Sequence, residues 1–178
     1  TANFEAVKSK IKEIVETPIQ RFGVLSEGET LKYQTFCFID NTKQKDRWVG
    51  VFARLCLGGD VKSKDDEGFS LMHNAAEIGE VAIAQMLLKH GADLNVQTSE
   101  GYSPLMVATL NAGVEMVKWL IEKGSIVQAK DSKSRTAIHN AVQQGSVVIA
   151  QVLLEHGANI NEQAARGYSP LVYATLFA

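Results

Sequence analysis

The stretch GYSPL occurs twice in this chain, at residues 101–105 and again at 167–171. The two copies are offset by 66, and half of that offset, 33, organises much of the sequence. Steps of 33 connect a first series of turn-type positions, Gly68, Gly101, Ser134 and Gly167, and a second series, Gly58, Gly91, Gly124 and Gly157. A period of this length is typical of repeat architectures, so we predict a stack of similar units that bury their apolar faces against each other.

Local chemistry predicts that each unit contains helices. Ser103 and Pro104 pair a hydroxyl N-cap with a proline at the first helical position, where the missing N–H costs nothing. Thr136 provides a hydroxyl at the matching place one unit later. Apolar residues recur at helical spacing over residues 81–88, and Gly91 then supplies the left-handed residue that ends a helix.

The residues that carry the period resemble the ankyrin repeat. The unit starts read GFSLMHNAA (68–76), GYSPLMVAT (101–109), SRTAIHNAV (134–142) and GYSPLVYAT (167–175). The unit exits read LLKHGADLN (87–95), LIEKGSIVQ (120–128) and LLEHGANIN (153–161). The chain departs from the family pattern at Leu71 and Ala137 (proline in the family), Ala112 (glycine) and Gln128 (asparagine). The resemblance covers about residues 55–178 and implies an all-α ankyrin-repeat solenoid with short β-turn fingers.

The expected domain organisation follows from this period. Residues 1–27 are expected to form an irregular helical N-terminal cap, with an amphipathic helix over residues 3–16, and residues 28–64 a degenerate repeat. The expected repeats are 65–97, 98–130, 131–163 and a partial unit, 164–178. Alternate units share more residues than neighbours do, which favours a duplicated pair of repeats over convergence on the family consensus.

The two ends of the chain carry separate expectations. The chain begins with Thr1 rather than Met, so we expect it to be part of a longer protein. The sequence stops inside the first helix of the fourth unit, where we expect Leu171, Ala174 and Thr175 to pack on the third unit. Terminal repeats need a polar outer face. Further repeats, a partner, or self-association through this uncapped C-terminal end are therefore expected to cover it.

Composition limits the classes of partner and the compartment. The formal net charge is −2, so nucleic acid is not an expected partner. No apolar run approaches the roughly 18 residues of a membrane span, and membrane insertion is not expected. The two cysteines, Cys37 and Cys56, lack metal-ligand spacing and are expected to be reduced. The expected location is the cytoplasm or the nucleus.

No catalytic, cofactor-binding or metal site is predicted. The four histidines form two pairs, His73 with His139 and His90 with His156, and the members of each pair lie two periods, and therefore two units, apart. One metal ion cannot bridge two units, which are separated by roughly 20 Å, because it binds nitrogen at about 2.0–2.1 Å. The resemblance implies instead that His73 and His139 bond the backbone of an adjoining turn. We therefore predict that the chain is not an enzyme.

The resemblance implies a protein or peptide partner, bound through a concave groove and the turn fingers. The function expected is that of a scaffold or adaptor in signalling; the alternative is the regulatory or targeting domain of a larger enzyme or ion channel. The residues predicted to contact a partner are Asp66, Glu67, Phe69, Glu77, Ile78, Glu100, Tyr102, Leu110, Asn111, Lys133, Arg135, Gln143, Gln144, Arg166 and Tyr168.

Two features of that set are specific to this sequence. Phe69, Tyr102, Arg135 and Tyr168 hold one repeat position and are expected to form a column, with Arg135 between two tyrosines. The finger tips are expected to change from acidic to basic along the stack, although exposed tips are polar in any protein. The acidic residues are Asp65, Asp66 and Glu67, and the basic ones Lys130, Lys133, Arg135 and Arg166.

Asn95 and Asn161 raise one further alternative. They hold the exit position of their units, with a leucine eight residues earlier in each case. Within the resemblance this arrangement is similar to targets of an asparaginyl hydroxylase. The expectation we favour is ordinary hydrogen bonding within the turn.

Overall fold

The structure, a computed structural model, describes residues 61–111 and 113–177. Within these residues it contains seven α-helices and no extended strand; the only β-type contact is an isolated bridge between Lys64 and Ser70. The helices are α1 (Leu71–Ile78), α2 (Val81–Lys89), α3 (Pro104–Asn111), α4 (Val114–Glu122), α5 (Ala137–Gln143), α6 (Val147–Glu155) and α7 (Pro170–Phe177). The fold is an all-α solenoid. The first helices of the units begin at residues 71, 104, 137 and 170, which confirms the period of 33.

The first helices of the units, α1, α3, α5 and α7, begin in two ways. In α3 the Oγ of Ser103 accepts a hydrogen bond from the N–H of Met106 at 3.3 Å, and Pro104 is the first helical residue, as predicted. In α1 and α5 the third helical residue is a histidine. Its Nδ1 accepts the backbone N–H of the N-cap residue, Ser70 at 3.1 Å or Thr136 at 3.2 Å. Both arrangements satisfy donors that the start of a helix leaves without an intrahelical partner.

Two rows of helices form the stack. The first helices pack on one another in chain order, while the second helices, α2, α4 and α6, form a second row. Leu87, Leu120 and Leu153 hold one repeat position in the second row and are all fully buried. Burial of a leucine side chain contributes about 1.5–3 kcal/mol. This leucine column is therefore a principal source of the stack's stability.

Four five-residue turns project from the first helices, and we number them fingers 1 to 4: residues 65–69, 98–102, 131–135 and 164–168. In each finger the first N–H donates to the fifth carbonyl oxygen at 2.9–3.0 Å. Backbone bonds also join successive fingers, from Ser99 to Glu67 (3.0 Å), from Ser132 to Glu100 (2.8 Å) and from Ala165 to Lys133 (2.8 Å). A Cβ on Gly101, whose φ is 83°, would lie 2.8 Å from the Cα of Asp131, so the approach of fingers 2 and 3 excludes a side chain there.

The last helix corrects one prediction. Leu171 and Thr175 do not pack on the third unit: the side chain of Leu171 is 72% exposed, and Thr175 is exposed as well. Leu171 holds the repeat position of Ile138, which is 1% exposed because the next first helix packs over it. No helix covers α7 in this way among the described residues. Instead α7 packs on α5, with the ring centroids of Tyr173 and His139 5.3 Å apart.

Several expectations lie outside the described residues. These are the N-terminal cap over residues 1–27 with its helix over 3–16, and the degenerate repeat over residues 28–64 apart from its last four positions. Cys37 and Cys56 also lie outside the described part, as do the departure from the family pattern at Ala112 and the last residue, Ala178.

Candidate recognition surface

The fifteen residues predicted to contact a partner occupy two places in the units: the fingers and the C-terminal ends of the first helices. Seven of them are exposed, namely Asp66, Glu67, Glu100, Asn111, Lys133, Gln144 and Arg166. Eight are half-buried, namely Phe69, Glu77, Ile78, Tyr102, Leu110, Arg135, Gln143 and Tyr168. None of the fifteen is buried, so all of them retain surface that a partner can reach.

The column predicted from the sequence consists of the fifth residues of the four fingers. All four of these side chains are half-buried rather than fully exposed. The ring of Phe69 lies edge-on to His73, with 5.4 Å between the centroids. The ring of Tyr168 lies edge-on to Tyr173 at 6.2 Å. These rings therefore contribute part of their area to packing within their own units, and only the remaining area faces solvent.

Arg135 makes the most internal contacts of this column. Its Nε and Nη2 both donate to Oδ2 of Asp131 at 2.7 Å, and Nη2 also donates to the hydroxyl oxygen of Tyr102. The guanidinium carbon lies 5.4 Å from the centroid of the Tyr102 ring. Burial alone would lower the pKa of Arg135, but the hydrogen bond and charge of Asp131 outweigh it and raise that pKa. The charged guanidinium thus links finger 2 to finger 3.

The first residues of the fingers have a structural role that the sequence analysis missed. Oδ1 of Asp131 accepts the N–H groups of Lys133 at 2.9 Å and Arg135 at 2.8 Å. Asp65 accepts the two equivalent N–H groups of finger 1, and Thr98 accepts one in finger 2. Steps of 33 residues from Asp65 reach Thr98 and Asp131, which are also acceptors, and then Ala164, which has no acceptor in its side chain. The sequence therefore contained the signal for this series.

Three of the predicted tip charges are used inside the stack. Asp65 accepts backbone N–H groups, Arg135 pairs with Asp131, and Lys130 forms an ion pair with Glu162 at 2.7 Å. The hydrogen bond from Lys130 lowers the pKa of Glu162. Five other tip charges make no side-chain hydrogen bond or ion pair with the part of the chain that the structure describes: Asp66, Glu67, Glu100, Lys133 and Arg166.

The two histidines of the first helices connect each odd unit to the next finger. Nε2 of His73 lies 2.8 Å from the carbonyl oxygen of Tyr102, and Nε2 of His139 lies 3.3 Å from that of Tyr168. Since Nδ1 accepts the N-cap N–H, the neutral ring carries its proton on Nε2 and donates it to the carbonyl. Burial lowers the pKa of both histidines and favours this neutral form. The prediction that they bond the adjoining turn is confirmed.

The exit residues join units as well. Oδ1 of Asn95 accepts the N–H of Ile126 at 2.8 Å, and its Nδ2 donates to the carbonyl oxygen of Gly124 at 3.4 Å. At the same position one unit later, Nε2 of Gln128 donates to the carbonyl oxygen of Gly157 at 2.8 Å. Asn95 therefore has a hydrogen-bonding role, but with the next unit rather than with its own turn. Its hydroxylation stays an alternative that the structure does not test.

The described residues contain no group of three histidine, cysteine, aspartate or glutamate side chains placed to hold a metal ion. Between residues 61 and 177, Ala112 excepted, no helix combines the length and the apolar character that a membrane span requires. His90 and His156, the second pair, are the C-cap residues of α2 and α6.

Comparison with known protein families identifies the type of repeat. The family model described as ankyrin repeats (three copies) matches residues 49–131 and, again, residues 113–177. These two segments overlap and together span well over half of the chain. No curated protein matches the chain at a significant level. The family match, the regularly repeated helix pairs and the linked fingers agree: the chain belongs to the ankyrin-repeat family.

Proposed function

We propose that this chain is a protein-recognition module, acting as a scaffold or adaptor, and that it binds a protein or peptide through its fingers and the groove beside its first helices. Ankyrin repeats are in general protein–protein interaction modules, and the fold is a non-catalytic one. The observation that carries the proposal is accessibility: none of the fifteen predicted contact residues is buried. Seven of these side chains are exposed, and the other eight keep part of their surface open to a partner.

The internal contacts decide which residues a test should change. Replacing Arg135 would leave the carboxylate of Asp131 buried without its counter-ion, so a loss of binding would be confounded by a loss of stability. Asn111 and Gln144 are better targets. Both are exposed, and both lie at the C-terminal ends of first helices.

The experiment compares three forms of the full chain in affinity capture from cell lysate, with captured proteins identified by mass spectrometry. The forms are the unchanged chain, the surface variant Asn111→Arg/Gln144→Arg and the control variant Gln85→Arg/Gln151→Arg. The control adds the same charge to exposed positions of α2 and α6. We expect at least one protein to be retained by the unchanged chain and the control and lost from the surface variant, provided that circular dichroism shows all three to be folded.

Other results of that capture contradict the proposal in different ways. Equal capture by all three forms would show that the partner does not use the ends of the first helices. Loss from the control alone would place the contact on the second row of helices. Failure of the unchanged chain to retain any protein would count against recognition itself.

Self-association through the C-terminal end stays a prediction. Leu171 of α7 is 72% exposed and Val147 of α6 is 75% exposed, and a contact between copies would bury such apolar area. Sedimentation equilibrium of the unchanged chain and of Leu171→Glu would check it. A monomeric mass for the unchanged chain at high concentration would remove the idea.

A further inference from the structure

We propose that four charges on the finger tips that pair with no described side chain, Glu67, Glu100, Lys133 and Arg166, recognise an extended polypeptide segment with two basic side chains followed, in space, by two acidic ones. We call these four residues the tip column. The inference rests on the proposed function and deepens it, since it assigns the charge order of the partner and the direction in which that partner lies along the stack.

The tip column is a repeated position. Its members are the third residue of fingers 1 to 4, and each follows the one before it by one period of the repeat. The carbonyl groups of the first three members accept the backbone bonds that join successive fingers, at 2.8–3.0 Å. The main chain therefore holds the four side chains in one register. Their order along the stack is negative, negative, positive, positive.

The four charges are not needed by the fold. All four residues are exposed, and within residues 61–111 and 113–177 none of their side chains forms a hydrogen bond or an ion pair. The neighbouring charges, apart from the exposed Asp66, behave differently. Asp65, Asp131 and Arg135 are used in the turns, and Lys130 pairs with Glu162. The internal contacts thus use charged residues of both signs. The tip charges left without a partner among the described residues are acidic in fingers 1 and 2 and basic in fingers 3 and 4.

The spacing of the column selects an extended ligand. Helices of adjacent units pack about 8–10 Å apart, so successive tips are separated by about that distance. An extended chain in the polyproline II conformation advances about 3.1 Å per residue with three residues per turn, so every third side chain lies on the same face. About three ligand residues therefore fit between neighbouring tips, and side chains at every third position meet the column. Two basic residues at this spacing face Glu67 and Glu100, and two acidic ones face Lys133 and Arg166.

Exposure determines what this recognition can achieve. Each exposed ion pair contributes little to affinity and is screened by salt. The tip column therefore sets the orientation and register of a segment, and speeds its encounter, more than it sets affinity. Segments with the same composition but another charge order are the ones that it rejects.

The test uses two ten-residue peptides of identical composition, titrated into the isotopically labelled full chain and followed by NMR chemical shifts. The matched peptide is acetyl-KTSKTSETSE-amide, and the alternating control is acetyl-KTSETSKTSE-amide. The backbone N–H groups of Ser99, Ser132 and Ala165 serve as reporters, because they donate to the carbonyls of the tip column. At low ionic strength we expect the matched peptide to bind about tenfold more tightly than the alternating one, because two pairs change from attraction to repulsion. The difference should shrink at high salt.

A charge exchange in the protein supplies the reciprocal control. The variant Glu100→Lys/Lys133→Glu keeps the net charge and changes the column to negative, positive, negative, positive. It should prefer the alternating peptide by a similar factor. That reversal would also demonstrate that the variant is folded.

The outcomes separate this inference from the proposed function. Equal affinity for both peptides, or a preference that the exchange does not reverse, would overturn the inference. If the capture experiment still depended on Asn111 and Gln144, the proposed function would stand without it. Self-association that the exchange abolishes in the absence of peptide would assign the tip column to a second copy of the chain, and it would overturn the peptide proposal.

Discussion

The third and fourth units use the same repeat position in opposite ways. Ile138 in α5 is 1% exposed, whereas Leu171 at the matching place in α7 is 72% exposed. The two residues are similar in size and hydrophobicity, and both lie at the second position of a first helix. Among the described residues a first helix packs next to α5 on the far side of the stack, and none does so for α7. The comparison shows that burial in this stack is a property of the neighbour rather than of the residue.

Fingers 3 and 4 show the same contrast in their turns. Finger 3 begins with Asp131, whose carboxylate accepts two backbone N–H groups, whereas finger 4 begins with Ala164. Both fingers contain a residue other than glycine at positive φ, Ser134 at 59° and Arg166 at 67°. Such a conformation costs about 1–2 kcal/mol. Finger 3 offsets this cost with its aspartate, and finger 4 lacks that compensation.

The largest effect should come from the matched apolar pair. We expect Ile138→Ala to lower the free energy of unfolding by about 2–4 kcal/mol, because it leaves a cavity between α5 and α7. Leu171→Ala should cost less than about 0.5 kcal/mol, because the side chain is largely exposed. Urea unfolding followed by circular dichroism measures both. Equal losses would show that the exposed face of α7 is covered in solution.

The second-largest loss of stability should come from replacing Asp131, whose carboxylate lies in finger 3. Asp131→Ala removes the carboxylate oxygen that accepts two turn N–H groups and leaves Arg135, only 13% exposed, without its counter-ion, so we expect a loss of about 2–3 kcal/mol. Asp65→Ala is the control, because it removes the equivalent acceptor of two turn N–H groups from an exposed residue and should cost about 1 kcal/mol. Denaturant titration of the two variants compares them. A loss for Asp65→Ala as large as that for Asp131→Ala would exclude a contribution from the buried ion pair.

The histidines predict how stability depends on pH. Burial lowers the pKa of His73 and His139 in the folded chain, so below about pH 6.5 the unfolded chain binds protons that the native chain excludes. Stability is therefore fully present above about pH 6.5 and falls as the pH drops towards the folded pKa values. The slope is at most about 1.4 kcal/mol per pH unit for each histidine.

Replacement of both histidines isolates this contribution. His73→Met/His139→Met introduces the residue that the second unit has at the same position, Met106. We expect a lower stability at neutral pH, because two cap interactions are lost, and a flatter profile between about pH 5.5 and 7. Unfolding curves across that range provide the measurement. A wild-type slope in the double variant would assign the pH dependence to other groups, and Glu80 would act with the opposite sign because burial raises its pKa.

The smallest effect should be a gain. Ala164→Asp restores the turn acceptor that fingers 1 and 3 have, and we expect it to stabilise the chain by about 0.5–1 kcal/mol. Ala165→Asp adds the same charge at the adjacent exposed residue and should have no such effect. Amide hydrogen exchange in finger 4 measures the gain locally. Equal protection in the two variants would indicate a general charge effect instead of a cap.

Much of the fold could be predicted because its determinants are local. The period of 33, the Ser103-Pro104 helix start and the left-handed residue at Gly91, whose φ is 85°, all follow from chemistry within a short stretch of chain or from its exact repetition. The contact of His73 with the next finger was implied by the family resemblance. In each case a similar residue pattern recurs in other units of the chain, so each unit supports the prediction made for the others.

The rest depended on three-dimensional contacts, several of them between units. Arg135 looked like a free tip charge, yet it pairs with a carboxylate in its own finger and with a tyrosine one unit earlier. Lys130 looked free as well, yet it pairs with Glu162 in the next exit segment. Leu171 looked like core because its type is apolar. Charge and hydrophobicity name the residues that seek partners, but three-dimensional packing decides which of them find one inside the chain.

The hydrogen bonds between units carry a consequence for how the chain folds. In the part that the structure describes, the side-chain bonds between units join positions separated by 29 to 34 in the sequence, from His73 with Tyr102 to Asn140 with Met106, apart from the local bond of Gln97 with Gly101. Adding units to such a stack lengthens the protein without lengthening any loop that must close. Folding can therefore begin at any neighbouring pair of units and spread outwards, at a rate that depends on the best pair rather than on the length of the array.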